Sequence, residues 1–255
     1  MPSVPTTVPD GKTRPSAVPG PRGAGCGFEP CSHCASREYS VCAPLTDAEL
    51  PGFYALASKA RIEPGRSLFE EGDAATHVFA ISQGAVSLYK ALADGRRQIT
   101  GFLFDGDFIG LAHGATCAYT AEALTPVEVC RFTRERFENY MSEHPHMERR
   151  LLRIASTELA SAQDQMLLLG RKTAMERVAS FLLNLSDRAV AHGRPGNPIP
   201  LPMTRGEIGD YLGLTIETVS RTMTKLRKAG AIELDDINVV RMASEAKLRA
   251  AADAS

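Results

Sequence analysis

No run of apolar residues in this sequence approaches the roughly eighteen needed to cross a bilayer as a helix. The first residues also lack the basic-then-apolar layout of a secretory leader, so the expected location is cytoplasmic, with no membrane partner. Net charge is equally scarce: 29 Lys and Arg against 30 Asp and Glu leave a formal charge of -1. A generally sticky polycation is thereby excluded. Enzyme signatures are missing too. Neither a nucleophile-base motif, a P-loop nor a metal-hydrolase pattern occurs, so no enzyme is expected, and His77, His113, His144 and His146 read as structural or surface residues.

What is present is ample core material: 44% of the 255 residues are apolar, enough for two modest domains and a tail. The charge is unevenly spread. Residues 171 to 230 hold ten Lys/Arg and five Asp/Glu, a local basic footprint that points to nucleic acid. Six cysteines in a reducing compartment suggest free thiols, metal ligands or redox sensors rather than a disulfide framework.

The chain divides by texture. Residues 1–25 carry six prolines and four glycines with little to bury, which predicts a disordered tail. A cysteine-rich segment, short and flexible by its Ser, Ala and Gly content, covers 26–46, and a short helix is expected from Asp47 to Ala60. Between 47 and 144, short apolar or alternating runs are separated by turn signals such as Pro64-Gly65, Gln83-Gly84 and Asp94-Gly95, which predicts an antiparallel β-roll or barrel. From Pro145 to Gly170 the period becomes helical. Leu152, Ala155, Leu159, Ala162, Met166 and Leu169 fall on one seam, with Leu151, Ile154 and Leu168 in a second row beside it. A helix with two apolar rows has more to bury than one contact covers, so it is expected to pack on its own roll and on a twin, giving a homodimer.

Residues 171–255 form the basic part. Thr204 with Glu207 has capping-box spacing and Met203 with Ile208 that of a hydrophobic staple, so a helix starts near Arg205. Gly213 supplies a turn, Thr215 caps a second helix running from Ile216 to Lys228, and Gly230 stops it. A hairpin with strands at 231–234 and 238–241 completes a winged helix-turn-helix, within an α+β chain. The first turns of such a second helix enter the major groove. Glu217, Ser220 and Arg221, with Thr218 beside them, can address bases, since Arg pairs guanine bidentately and Glu accepts from cytosine. Arg205, Lys225, Arg227 and Lys228 suit phosphates. A mere surface ion pair between Glu217 and Arg221, worth about 0.3–0.5 kcal/mol, is the bland alternative.

Cys31, Cys34 and Cys42 offer three ligands on one segment; a fourth must come from elsewhere, and Cys26 and Cys117 stand apart from them. Zinc suits four thiolates, with His33 as a possible addition; a thiol-disulfide sensor is the other reading.

Thr204 to Arg221, Asp164 to Leu169 and Gln98 to Leu103 together resemble the Crp/Fnr superfamily, more narrowly its FNR type, over about residues 30 to 250. The resemblance implies a cyclic-nucleotide-binding-like β-roll, a long dimerisation helix, and an oxygen-responsive regulator holding a [4Fe-4S] cluster. It supplies Cys130, on a roll strand, as the distal ligand beside Cys31, Cys34 and Cys42, although the seven-residue gap between Cys34 and Cys42 is longer than the commonest pattern and Cys26 stays open as a replacement. It implies a palindromic operator of the form TTGAT-N4-ATCAA in double-stranded DNA, genes of anaerobic metabolism as targets, and RNA polymerase as partner through the turn 91–97. A cyclic nucleotide is not expected, because Leu111 and Tyr119 stand where such a receptor needs a glutamate and an arginine. Coupling from cluster to operator is expected through the seam helix. Ala162 is a departure, since the family often has an acid there, so a dimer less dependent on the cluster is expected.

Overall fold

The computed structural model describes residues 29–110 and 114–253. The expected tail, Cys26, Leu111 and His113 lie outside the described residues. The chain opens with α1 (Glu29–Ser32) and α2 (Leu50–Leu56), followed by the strands β1 (Ser58–Ile62), β2 (Ser67–Phe69), β3 (His77–Gln83) and β4 (Val86–Ala91). β5 (Arg97–Leu103), β6 (Phe108–Ile109), β7 (Thr120–Ala123) and β8 (Val127–Thr133) complete the roll. Two helices follow it, α3 (Arg134–Glu143) and α4 (Pro145–Arg171). The C-terminal part comprises α5 (Ala174–Ala191), β9 (Ile199–Pro200), α6 (Arg205–Leu212), α7 (Ile216–Lys228), β10 (Ile232–Asp236), β11 (Val239–Met242) and α8 (Glu245–Ala252).

The eight roll strands form two four-stranded sheets, ordered β1-β8-β3-β6 and β2-β7-β4-β5, with antiparallel pairing. Phe79, Ile81, Val86, Leu103 and Ile109 fill the space between them. Alternation along β8 assigns its two faces. Val127 and Val129 point into the roll, while Cys130 and Phe132 face outward onto a second core built by Val41, Leu45, Phe53 and Phe137. Strand geometry therefore delivers Cys130 to the surface that the cysteine-bearing segment covers.

Several expectations need correction. The helix expected over 47–60 is confined to α2, because Ala57 turns extended (ψ 143°) and Ser58 to Ile62 pair residue by residue with β8. The segment expected to be flexible between 26 and 46 is instead, where described, a strap of consecutive turns: Cys34 N donates to Cys31 O, Arg37 N to Cys34 O, Tyr39 N to Ser36 O and Leu45 N to Cys42 O, each at 3.1 Å. Buried Val41 and Leu45 anchor it. The wing pairs 232–236 with 239–242 rather than 231–234 with 238–241, so its tip is Ile237-Asn238, and a bulge between Leu234 and Asp236 absorbs the shift. β9, α3 and α8 had no clear signal in the sequence.

The helix-turn-helix follows its local code. Capping boxes close at Thr204 with Glu207 and also at Thr173 with Glu176; Gly213 caps α6 in the left-handed region (φ 63°), and the Thr215 side chain accepts from Thr218 N. One continuous core joins this domain to the roll. Phe102 of β5 packs on Phe181 of α5 (6.1 Å between centroids) and on Tyr211 of α6 (5.2 Å). Hydrogen bonds reinforce the joint: Gln98 Nε2 donates to Asp210 O at 2.7 Å, Gln165 Nε2 to Tyr211 O at 2.9 Å, and Arg97 pairs with Asp210 at 2.9 Å.

Candidate metal centre and nucleic-acid interface

Cys31, Cys34, Cys42 and Cys130 border one cavity of about 510 Å³ between the strap, α2 and the outer face of β8. All four are half-buried. Burial pushes the Cys42 thiol up to about 12; Arg37 pulls it down, and Cys34, Cys31 and Cys130 each push it further. The Cys130 thiol is raised to about 11, by burial first and then by Cys34, with Lys59 opposing and Cys31 adding to the rise. Cys42 and Cys130 therefore feel the other thiols across the cavity, and either gains from a partner that replaces its proton with positive charge. Among the described residues, no three His, Cys, Asp or Glu side chains are grouped to hold a single metal ion. A cube that takes one thiolate at each iron needs donors spread around a volume rather than gathered on one ion, and the four thiols share one cavity. His33 lines the same cavity, whereas Cys117 lies in a separate pocket beside Asp73 and His77.

The residues expected to face DNA divide as the helix period requires. Val219 and Met223 of α7 are fully buried, and Glu217, Ser220, Arg221 and Lys225 are exposed on the opposite face. Glu217 is held below its usual carboxylate range by backbone and Thr215 hydrogen bonds at the helix start, with Arg221 contributing less. Thr218 is half-buried, its hydroxyl 3.1 Å from that of Thr215, so it serves the cap as well as the surface. Arg205 departs from the picture of a free phosphate ligand. It is half-buried, which lowers its pKa, and its Nη2 donates to Ile237 O in the wing tip at 3.4 Å. Arg227 and Lys228 remain exposed.

Comparison with known proteins fits the two domains of the fold. Residues 59–144 match the family profile of the cyclic nucleotide-binding domain, and residues 176–251 that of the Crp-like helix-turn-helix domain. The nitrogen fixation regulation protein FixK of Bradyrhizobium diazoefficiens is 44% identical over 204 residues, covering 80% of this chain and 86% of that one. The chain belongs to the Crp/Fnr family of transcription regulators. The transcriptional activator protein FnrA of Stutzerimonas stutzeri is 39% identical over 210 residues, covering 80% and 86% of the two chains. Among solved structures, FixK2 from Bradyrhizobium japonicum superposes with a TM-score of 0.70 at 39% identity, over 76% of this chain and 96% of that one.

In this Crp/Fnr chain the long helix leaves most of its seam uncovered. Leu152, Leu159 and Met166 are 69%, 61% and 72% exposed, and Ala155 and Ala162 lie open between them. Leu169 is the exception, half-buried against the DNA-binding domain. The second row behaves differently: Leu151 and Ile154 pack on the core beneath the strap, and Leu168 on the C-terminal core. Within the roll, Tyr119 packs on Phe69 at 5.8 Å and Phe69 on Phe79 at 5.8 Å, so aromatic rings line this part of its interior. The turn expected to meet a partner, 91–97, exposes Leu92 at its tip, but Arg97 is drawn away to Asp210. No helix of the described residues is long and apolar enough to cross a membrane.

Proposed function

We propose that this Crp/Fnr regulator is an oxygen-responsive transcription factor whose Cys31, Cys34, Cys42 and Cys130 hold a [4Fe-4S] cluster. The observation that carries the reading is the shared cavity, in which three thiols of the strap and one of a roll strand lie within electrostatic reach of each other. When bound, such a cluster supplies an oxidisable centre that dioxygen can dismantle. The residues do the rest. Cys130 is fixed by pairing on both sides of β8, opposite Lys59 and Ala80, so ligands from the strap are held against a rigid wall. Arg150 of α4 donates to the carbonyl oxygens of Tyr39 and Ser40 and lies close enough to feel the charge of Cys42. Strap placement thus reaches the helix whose open seam, Leu152 to Met166, builds the homodimer.

Two protomers would then present paired α7 helices to a palindrome resembling TTGAT-N4-ATCAA, with Glu217, Ser220 and Arg221 at base edges and Lys225 at phosphate. The names of relatives such as FnrA support activation of transcription, and the tip Leu92–Arg96 is the surface offered to RNA polymerase. The aromatic filling of the roll and the missing acid–arginine pair speak against a cyclic nucleotide as effector.

Anaerobic purification with iron and sulfide analysis tests the centre. A brown protein with about four irons and four sulfides per chain is expected, losing its absorbance in air, with iron reduced to near zero in Cys130→Ala. A colourless protein with stoichiometric zinc, or DNA binding restored by a thiol reductant alone, overturns the cluster.

A further inference from the structure

One aromatic side chain between the thiol cavity and the DNA-binding domain has no part in either site. Tyr39, between Cys34 and Cys42 on the strap, stacks on His192 with centroids 5.3 Å apart and planes 4° from parallel. His192 is the residue at which α5 ends, and its Nδ1 lies 3.1 Å from Asp105 O in the turn between β5 and β6. Glycine lines the slot. Gly106 and Gly193 have φ of 97° and 65°; a Cβ on Gly106 would come within 3.2 Å of the Tyr39 Cβ, and one on Gly193 would overlap the Tyr39 Oη. From the other side Arg150 grips the Tyr39 carbonyl. The turn bearing Asp105 completes the joint: Asp105 borders the thiol cavity, accepts from Gly84 N at 2.6 Å and pairs with Arg194 at 2.9 Å.

We infer that Tyr39 is a positioning residue for DNA binding: seated between Gly106 and Gly193 and stacked on His192, it ties the cysteine-bearing strap to the end of α5 within a single protomer. α5 shares its core with the recognition helix, since Val178 and Leu182 lie in one buried cluster with Val219 and Met223. A strap displaced from the roll withdraws the ring, and the end of α5 loses its aromatic partner. This route runs within one protomer, whereas the α4 seam, which Arg150 also joins to the strap, acts between protomers. A ring in a glycine-walled slot is either seated or out, which gives the coupling two states instead of a graded one.

Hydrogen exchange on the full-length, iron-free chain carrying Cys117→Ser tests the inference, with carboxamidomethylation of the remaining thiols as the perturbation. Alkylation should raise exchange in residues 186–194 by about tenfold when Tyr39 is present. In Tyr39→Ala that exchange should already be raised, and alkylation should add nothing. Tyr39→Phe, which keeps the stack, should respond like the parent. Should Tyr39→Ala fail to fold by circular dichroism, Tyr39→Leu replaces it, since it fills part of the slot without an aromatic stack. Equal responses to alkylation with and without a seated ring overturn the inference, as does unchanged basal exchange in Tyr39→Ala. No metal is loaded, so a chain that takes up no iron sinks the proposed cluster while leaving this test intact.

Discussion

On α7, exposure separates side chains that can address bases from those that hold the helix in place. Arg221 stands free of the core beside Glu217 and Ser220, so Arg221→Ala should cost about 1–3 kcal/mol on the parent operator and relax discrimination at one base pair. Fluorescence anisotropy against single-base operator variants measures both effects. Lys225, exposed one helical turn further along, should instead weaken binding evenly across sequences and reduce the salt slope by about one when changed to Ala. An unchanged slope would remove it from the phosphate contacts. Arg205, expected at phosphate, has a further task. Its hydrogen bond to Ile237 O ties the start of α6 to the wing, a role invisible in sequence because the two residues are far apart in the chain.

Among the elements, α4 carries the clearest split. One row feeds the protomer's own cores and the other, Leu152 to Met166, remains uncovered, which is why the sequence showed more apolar surface than one contact could take. Leu159→Asp should give a folded monomer in sedimentation, with the circular dichroism of the parent, because Leu159 is 61% exposed and its loss opens no core. In the proposed pairing of seams Ala162 places no acid against its twin, so the iron-free parent should still sediment as a dimer; a monomer alone would refute that expectation. How much was legible differs by element for the same physical reason. The helix-turn-helix is written in residues three to five apart, Thr204 with Glu207 and Met203 with Ile208, and could be read with its ends nearly right. β9 has two residues and pairs with β11, so only tertiary contact creates it. Cys130 taken alone reads as a small buried hydrophobe; its place opposite the strap followed from family likeness, and the alternation of β8 gives the cause. Tyr39 and His192, 153 positions apart, left no signal at all.

For the molecule as a whole, the decisive feature is that roll and DNA-binding domain share a core. Phe102 lies among Phe181 and Tyr211, so Phe102→Ala should cost about 3–5 kcal/mol. Calorimetry of the parent should show both domains melting in one transition, with the variant's transition lowered or split in two. Two separate transitions in the parent would mean that the joint contributes little.

That joint bears on how such a protein can change over time. Arg97 and Gln98 belong to the roll, yet their partners Asp210 and Tyr211 sit at the end of α6. A head grafted from a cousin would arrive without matching sockets, and a head cut loose would carry a bare aromatic floor into water. Exposed residues of α7 can thus be exchanged without touching this joint, whereas a change at Arg97 or Gln98 has to be matched across it on α6.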